Sequence, residues 1–123
     1  LLPDWALATH PIDLEPLIER VGVYEGYRLG LEAVLLEPGV DMCLLFIGAG
    51  LYRESEERLV AGLAPLLRRS EKPLAIVLAG AKPSCELLTA QFEDMGVPVY
   101  PTVSRASNSL AALYQFARLR PGV

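Results

Sequence analysis

Histidine, sulfur, basic runs and long apolar segments are all scarce in this chain of 123 residues. A single histidine, His10, leaves a serine or cysteine triad almost nothing to draw on. Of the two cysteines, Cys43 lies in the apolar run from Met42 to Ile47 and Cys85 in an amphipathic stretch. Neither has metal-ligand spacing, so two reduced, partly buried thiols are expected and no metal site. The longest apolar stretches are broken by Glu, Arg, Pro or Gly well short of the ~20 residues that cross a bilayer. No basic-then-apolar region opens the chain, so no membrane partner is expected and cytosolic (cytoplasmic) residence follows.

Positive charge is also too thin for nucleic acid. The net charge is −4 with a pI near 5.0, and Arg20, Arg28, Arg53, Arg58, Arg68, Arg69 and Arg118 are dispersed among acids. No basic stripe is left to grip a phosphate backbone. What the chain does have is apolar residues, 52% of the total, enough for one α/β-sized core. It opens Leu1-Leu2-Pro3 without an initiating Met, which suggests a segment of a longer polypeptide.

Pro3, Pro11 and Pro16 predict a mostly irregular arm or linker over residues 1–22, because proline removes a backbone donor and biases its predecessor to extended geometry. Trp5 would anchor that arm against apolar surface. The domain proper, 23–123, begins with Tyr24, Tyr27, Leu31, Val34 and Leu35 at helical intervals, ended by Pro38-Gly39. The nearly continuous apolar run Val40 to Ile47 then reads as a strand covered on both faces by helices. A helix capped by Ser55 would run to about Arg69, with Pro65 expected to kink or locally break it. A second covered strand spans Leu74 to Leu78, and a third helix runs from about Ser84 to Met95 with Gly96 as its C-cap. Val97 to Tyr100 gives a short third strand before a final helix starting near Ser104. Strands alternating with helices require a parallel sheet with right-handed crossovers, so the expected fold class is α/β, a small three-layer flavodoxin-like sandwich.

Two glycine turns follow the apolar runs: Gly48-Ala49-Gly50 and Gly80-Ala81-Lys82. At the carboxyl ends of parallel strands, such turns let backbone amides approach a phosphate or carboxylate. Arg53 would have to offset Glu54, Glu56 and Glu57 beside the first turn, and Lys82 is the positive contact of the second. Neither a Walker A pattern nor G-x-G-x-x-G is present. Ser84 and Ser104 lie outside any nucleophile elbow and read as helix caps. The acids at Glu54, Glu56 and Glu57 read as a solvated helix start, not a metal cluster. His10 has Asp13 as a conceivable partner, but adjacent Pro11 argues against a preorganised base. The residues therefore outline a binding rim and supply no catalytic group.

His10-Pro11-Ile12-Asp13-Leu14 resembles an N-P-[VI]-D-L opening. The segment from Pro38 to Ile47 is similar to D-P-x-V-D-x-[VL]-L-[VL]-I, and Lys72 to Val77 to K-P-[VL]-x-x-x. Gly96 to Pro101, with Arg105-Ala106 and Leu110 to Leu113, follows G-[IV]-P-x-[YF]-x-[ST]-x-x-[ER]-A-x-x-A-L-x-x-L. Together these motifs, covering nearly the whole chain, resemble the C-terminal flavodoxin-like (ligase-CoA) domain of the NDP-forming acyl-CoA synthetase family, within the succinyl-CoA synthetase superfamily. The resemblance implies a part of an acid–CoA ligase that works through acyl phosphate and phosphohistidine. The parent would use CoA, ATP/ADP and Mg, with no cofactor in this domain. CoA-binding, phosphohistidine and ATP-grasp domains would be its partners, and homo-oligomer formation stays open. The Gly48-Ala49-Gly50 turn would present a helix N-terminus to the phosphoryl group. Three positions depart from the pattern: Ala49 replaces a glycine, His10 an asparagine, and Ala79-Gly80-Ala81 a G-G turn. A regulatory or assembly module, as in a protein acetyltransferase fusion, is the alternative implied.

Overall fold

The proline-rich opening is helical near its end. Asp13 Oδ1 accepts the Glu15 backbone N–H at 3.0 Å, and Pro16, at the start of the helix, costs no hydrogen bond because the first turn's amides have no internal partner. Helix α1 therefore forms over Glu15–Val21 and buries Pro16, Leu17 and Ile18. The segment expected to be mostly irregular, 1–22, thus carries a helix over its last part. The computed structural model describes residues 10–51 and 56–119. Trp5, Arg53, Glu54 and Ser55, singled out above, lie outside the described residues.

Helix α2, Val23–Leu36, accepts α1 against its glycines. A Cβ on Gly26 would lie 2.7 Å from Ile18 Cγ1 and 3.0 Å from its Cα, so only glycine lets the two helices approach this closely. Three strands follow in the order β1-β2-β3, all parallel: β1 Cys43–Ala49, β2 Leu74–Gly80 and β3 Val99–Tyr100. Helices α3, Glu56–Arg69, and α4, Lys82–Asp94, form the crossovers, and α5, Val103–Leu119, closes the chain described here.

Because both crossovers step in the same direction across the sheet, right-handedness puts α3 and α4 on one face. Cys43, Leu45, Ile47 and Ala49 of β1, with Leu74, Ile76 and Leu78 of β2, accordingly pack with Tyr27, Leu31, Leu63, Leu88 and Phe92 in the main core. The alternate residues face the other way, where α5 covers a small cluster built on Ala75, Val77 and Ala106. The layers are therefore unequal, three helices against one. For β1 this corrects the expected burial on both faces, since Phe46 is 50% exposed.

Two further expectations change. Pro65 does not break α3, which continues to Arg69; the ring sits on the exposed side while Leu63, Ala64, Leu66 and Leu67 around it are buried. Burial of that stripe outweighs the hydrogen bond proline forfeits. β1 starts at Cys43, three residues after Val40, because the Val40 N–H still belongs to the preceding turn, donating to Glu37 O at 3.1 Å.

Candidate functional site

The strand pairing brings the two glycine segments side by side. Cα pairing of β1 with β2 runs through Gly48↔Ala79 to Ala49↔Gly80, and the Ala81 N–H donates to Ala49 O at 3.0 Å. Gly48 and Ala49 are thus strand residues, and the chain turns at Gly50, whose φ is 72°. Gly80 has φ 137°, and a Cβ there would fall 2.0 Å from Ala49 O. The close passage of the two strand ends therefore depends on a residue without a side chain.

Each main-chain group at this edge has a definite environment. Gly48 N–H donates to the Tyr27 hydroxyl of α2 at 3.3 Å. Burial pushes the Tyr27 phenol above its ordinary range, and the hydrogen bond from Gly48 works in the opposite sense. Leu51 folds back over Gly48, its Cδ1 lying 2.4 Å from where a Cβ would stand. A Cβ on Gly50 would meet the Ala81 methyl at 2.9 Å and Ser84 Oγ at 3.0 Å. Ala49 is fully buried in the main core. The first turn is therefore lined closely by the chain's own groups.

The second turn is more open. α4 begins at Lys82 after Ala81, with no side-chain hydrogen bond capping it, and Gly80, Ala81 and Lys82 are all exposed. Lys82 Nζ stands 4.0 Å from Glu86 Oε1 with its side chain 88% exposed, a solvated contact that leaves the ammonium mobile. An uncapped helix start beside a lysine attracts an anion. α3, the other helix rising from this edge, is described from Glu56 onward, and residues 52–55 lie outside those described.

The remaining candidates lie elsewhere. Asp13 caps α1 through the Glu15 amide, His10 is exposed, and no hydrogen bond links the two among the described residues. Cys43 is buried, which raises its thiol above the ordinary range, and Cys85 is half-buried at the start of α4. Among the described residues no group of three or more His, Cys, Asp or Glu side chains could hold a metal ion. No helix there is long and apolar enough to cross a membrane. Sequence reasoning placed Tyr27 on a core-facing stripe but missed its hydroxyl on Gly48. The one signal was a phenol within an otherwise apolar stripe, since a buried tyrosine hydroxyl needs a hydrogen-bond partner.

No protein-family model matches the sequence, and no solved structure matches it. A curated relative does. Over 122 residues, 96% of this chain, the sequence is 30% identical to acetate–CoA ligase [ADP-forming] II of Archaeoglobus fulgidus. The chain spans 17% of that enzyme's length. Along nearly its whole extent, the chain is thus related to one segment of an ADP-forming acetate–CoA ligase.

Proposed function

We propose that the chain serves as one module of an NDP-forming acyl-CoA synthetase, with its exposed strand-end turn supplying main-chain amides to a phosphoryl-bearing site. The chain's kinship with an ADP-forming ligase, joined to the uncapped start of α4 at the edge where parallel sheets take ligands, carries this reading. Lys82 adds positive charge and, because the Ala81 N–H is already given to Ala49 O, is the residue of the Gly80-Ala81-Lys82 turn through which contact is made. The chemistry itself, joining a carboxylate to CoA at the expense of ATP, belongs to CoA-binding, phosphohistidine and ATP-grasp parts of the larger machine. This module positions and packs.

One observation favours a second reading. Gly48 N–H is committed to Tyr27, and Gly50 is packed against Ala81 and Ser84, so the first turn is built as a structural joint. A module of that kind, used for assembly or regulation, would keep the fold and lose the phosphate contact. Titration with inorganic phosphate and with ADP, followed by amide chemical shifts, separates the two. Shifts that saturate at Gly80, Ala81 and Lys82 and weaken in Lys82→Ala support the phosphoryl role, whereas an unmoved edge supports assembly alone. The chain by itself is expected to form no acyl-CoA from acetate, CoA and ATP, and turnover by it would refute the modular assignment.

A further inference from the structure

β1 is an edge strand built like an interior one. Among the described residues it pairs with β2 alone, in an unbroken register from Cys43 to Ala49. Cys43 N–H donates to Pro73 O and Ala49 O accepts the Ala81 N–H, so the odd-numbered residues turn their main-chain groups to β2. Those of Leu44, Phe46 and Gly48 point outward, as Gly48 N–H does towards Tyr27. Exposed edges are normally blunted by lysine, proline or a bulge. The strand Cys43-Leu44-Leu45-Phe46-Ile47-Gly48-Ala49 has none of these and carries no charge.

The two faces of β1 show the same gap. Phe46 and Val77 stand side by side in the register, on the face that α5 covers. Val77 is 2% exposed there, whereas Phe46 is 50% exposed. Cover on this face thus ends one strand short. On the other face it extends further, because the Tyr27 hydroxyl reaches the outward-pointing Gly48 N–H and so places α2 at the outer edge of β1. A right-handed crossover entering β1 from a parallel outer strand would lie there.

A doubly wound sheet of strand order 2-1-3-4-5 accounts for both faces, with β1, β2 and β3 in its last three places. In that order one step alone runs in the opposite direction, from the first strand to the second, so the helix after the first strand falls on the face of α5. We propose that the outer edge of β1 docks a parallel β-strand of the longer polypeptide in which this chain is a module, and that the helix following that strand covers Phe46. A strand is the occupant because it alone satisfies successive outward N–H and C=O groups. A ligase of the relative's kind has polypeptide to supply it, since the chain spans 17% of that enzyme's length. The inference rests on the modular reading for the source of the strand, and not on the phosphoryl contact.

Residue-resolved hydrogen exchange on this chain alone and on the full-length polypeptide tests it. In the chain alone, the Leu44 and Phe46 amides should exchange roughly 100-fold faster or more than those of Leu45 and Ile47; in the full-length protein the four should be comparably slow. Phe46→Asp should speed exchange at Leu44 in the full-length protein by about tenfold or more. In the chain alone the same substitution, at a half-exposed site, should move Tm by no more than a few degrees. Phe46→Ala replaces it if circular dichroism shows the aspartate variant to be unfolded. Slow exchange at Leu44 and Phe46 in the chain alone would overturn the proposal. Dependence on protein concentration would then assign the edge to a second copy, and independence to the chain's own residues. Fast exchange at both amides in the full-length protein would overturn it as well. Failure of the modular reading registers separately, as acyl-CoA formation by the chain alone.

Discussion

The hydroxyl of Tyr27 on α2 reaches the strand-end rim, where it accepts the Gly48 N–H at 3.3 Å. Tyr27→Phe keeps the buried ring and removes only the acceptor. Stability should fall by about 1 kcal/mol, the net worth of one such hydrogen bond. Amide exchange at Gly48 should accelerate, while that at residues distant from the rim should follow the global change alone. The same tyrosine and the buried Cys43 set the alkaline limit of the fold. Both groups are neutral when protonated, and burial raises both above their ordinary values of 10.0 and 9.0. The folded state therefore holds these protons more tightly than the unfolded state does. Their contribution is complete below about pH 9 and is lost as pH rises through the folded-state values. Urea midpoints should be flat from pH 7 to pH 8.5 and decline above pH 9. Cys43→Ala, whatever it costs in packing, should move the onset of that decline upward towards the tyrosine range.

Elements follow residues only where local pattern and tertiary burial agree. The strands and four of the helices are legible because apolar spacing switches between periods that match their final packing. Pro16 and Pro65 are where a local rule misleads. Pro16 sits at a helix start that tolerates it, and Pro65 faces solvent on a helix held by five buried neighbours. The glycines of α2 and α3 look identical in sequence and differ in structure. Gly26 is pressed against Ile18, whereas a Cβ on Gly62 would meet nothing within 4 Å. Gly62→Ala should therefore stabilise the protein by about 0.5 to 1 kcal/mol through helix propensity, raising Tm by a few degrees. Gly26→Ala should destabilise it by about 1 to 3 kcal/mol by prising α1 from α2. Differential scanning calorimetry of the two variants reads both signs, and equal shifts in one direction would mean that the α1–α2 contact is not as close as described.

The whole molecule is asymmetric about its sheet, and neither periodicity nor composition reveals that. Topology does: two same-direction crossovers stack α3 and α4 on one face, where α2 joins them, and leave α5 alone on the other. The rim of the candidate site was legible for a related reason, since the glycines end apolar runs and parallel pairing brings such ends together. What was not legible is which turn stays open, because that depends on Leu51 folding back over Gly48 and on Ser84 and Tyr27 arriving from other parts of the chain. The asymmetry predicts a hierarchy of local opening. Leu63, Ile76, Leu88 and Phe92 are fully or almost fully buried in the three-helix face, while α5 is fastened by Ala106 and by half-buried Leu110. Releasing α5 exposes little apolar surface, so its amides should exchange through a local opening, whereas those of β1, β2 and α3 should require global unfolding. Native-state hydrogen exchange in rising urea would show α5 amides with a small denaturant slope and lower protection, and the central amides converging on the global slope. A uniform slope across all helices would mean that α5 is welded to the sheet as firmly as its counterparts, and the single-helix face would then be a full structural layer.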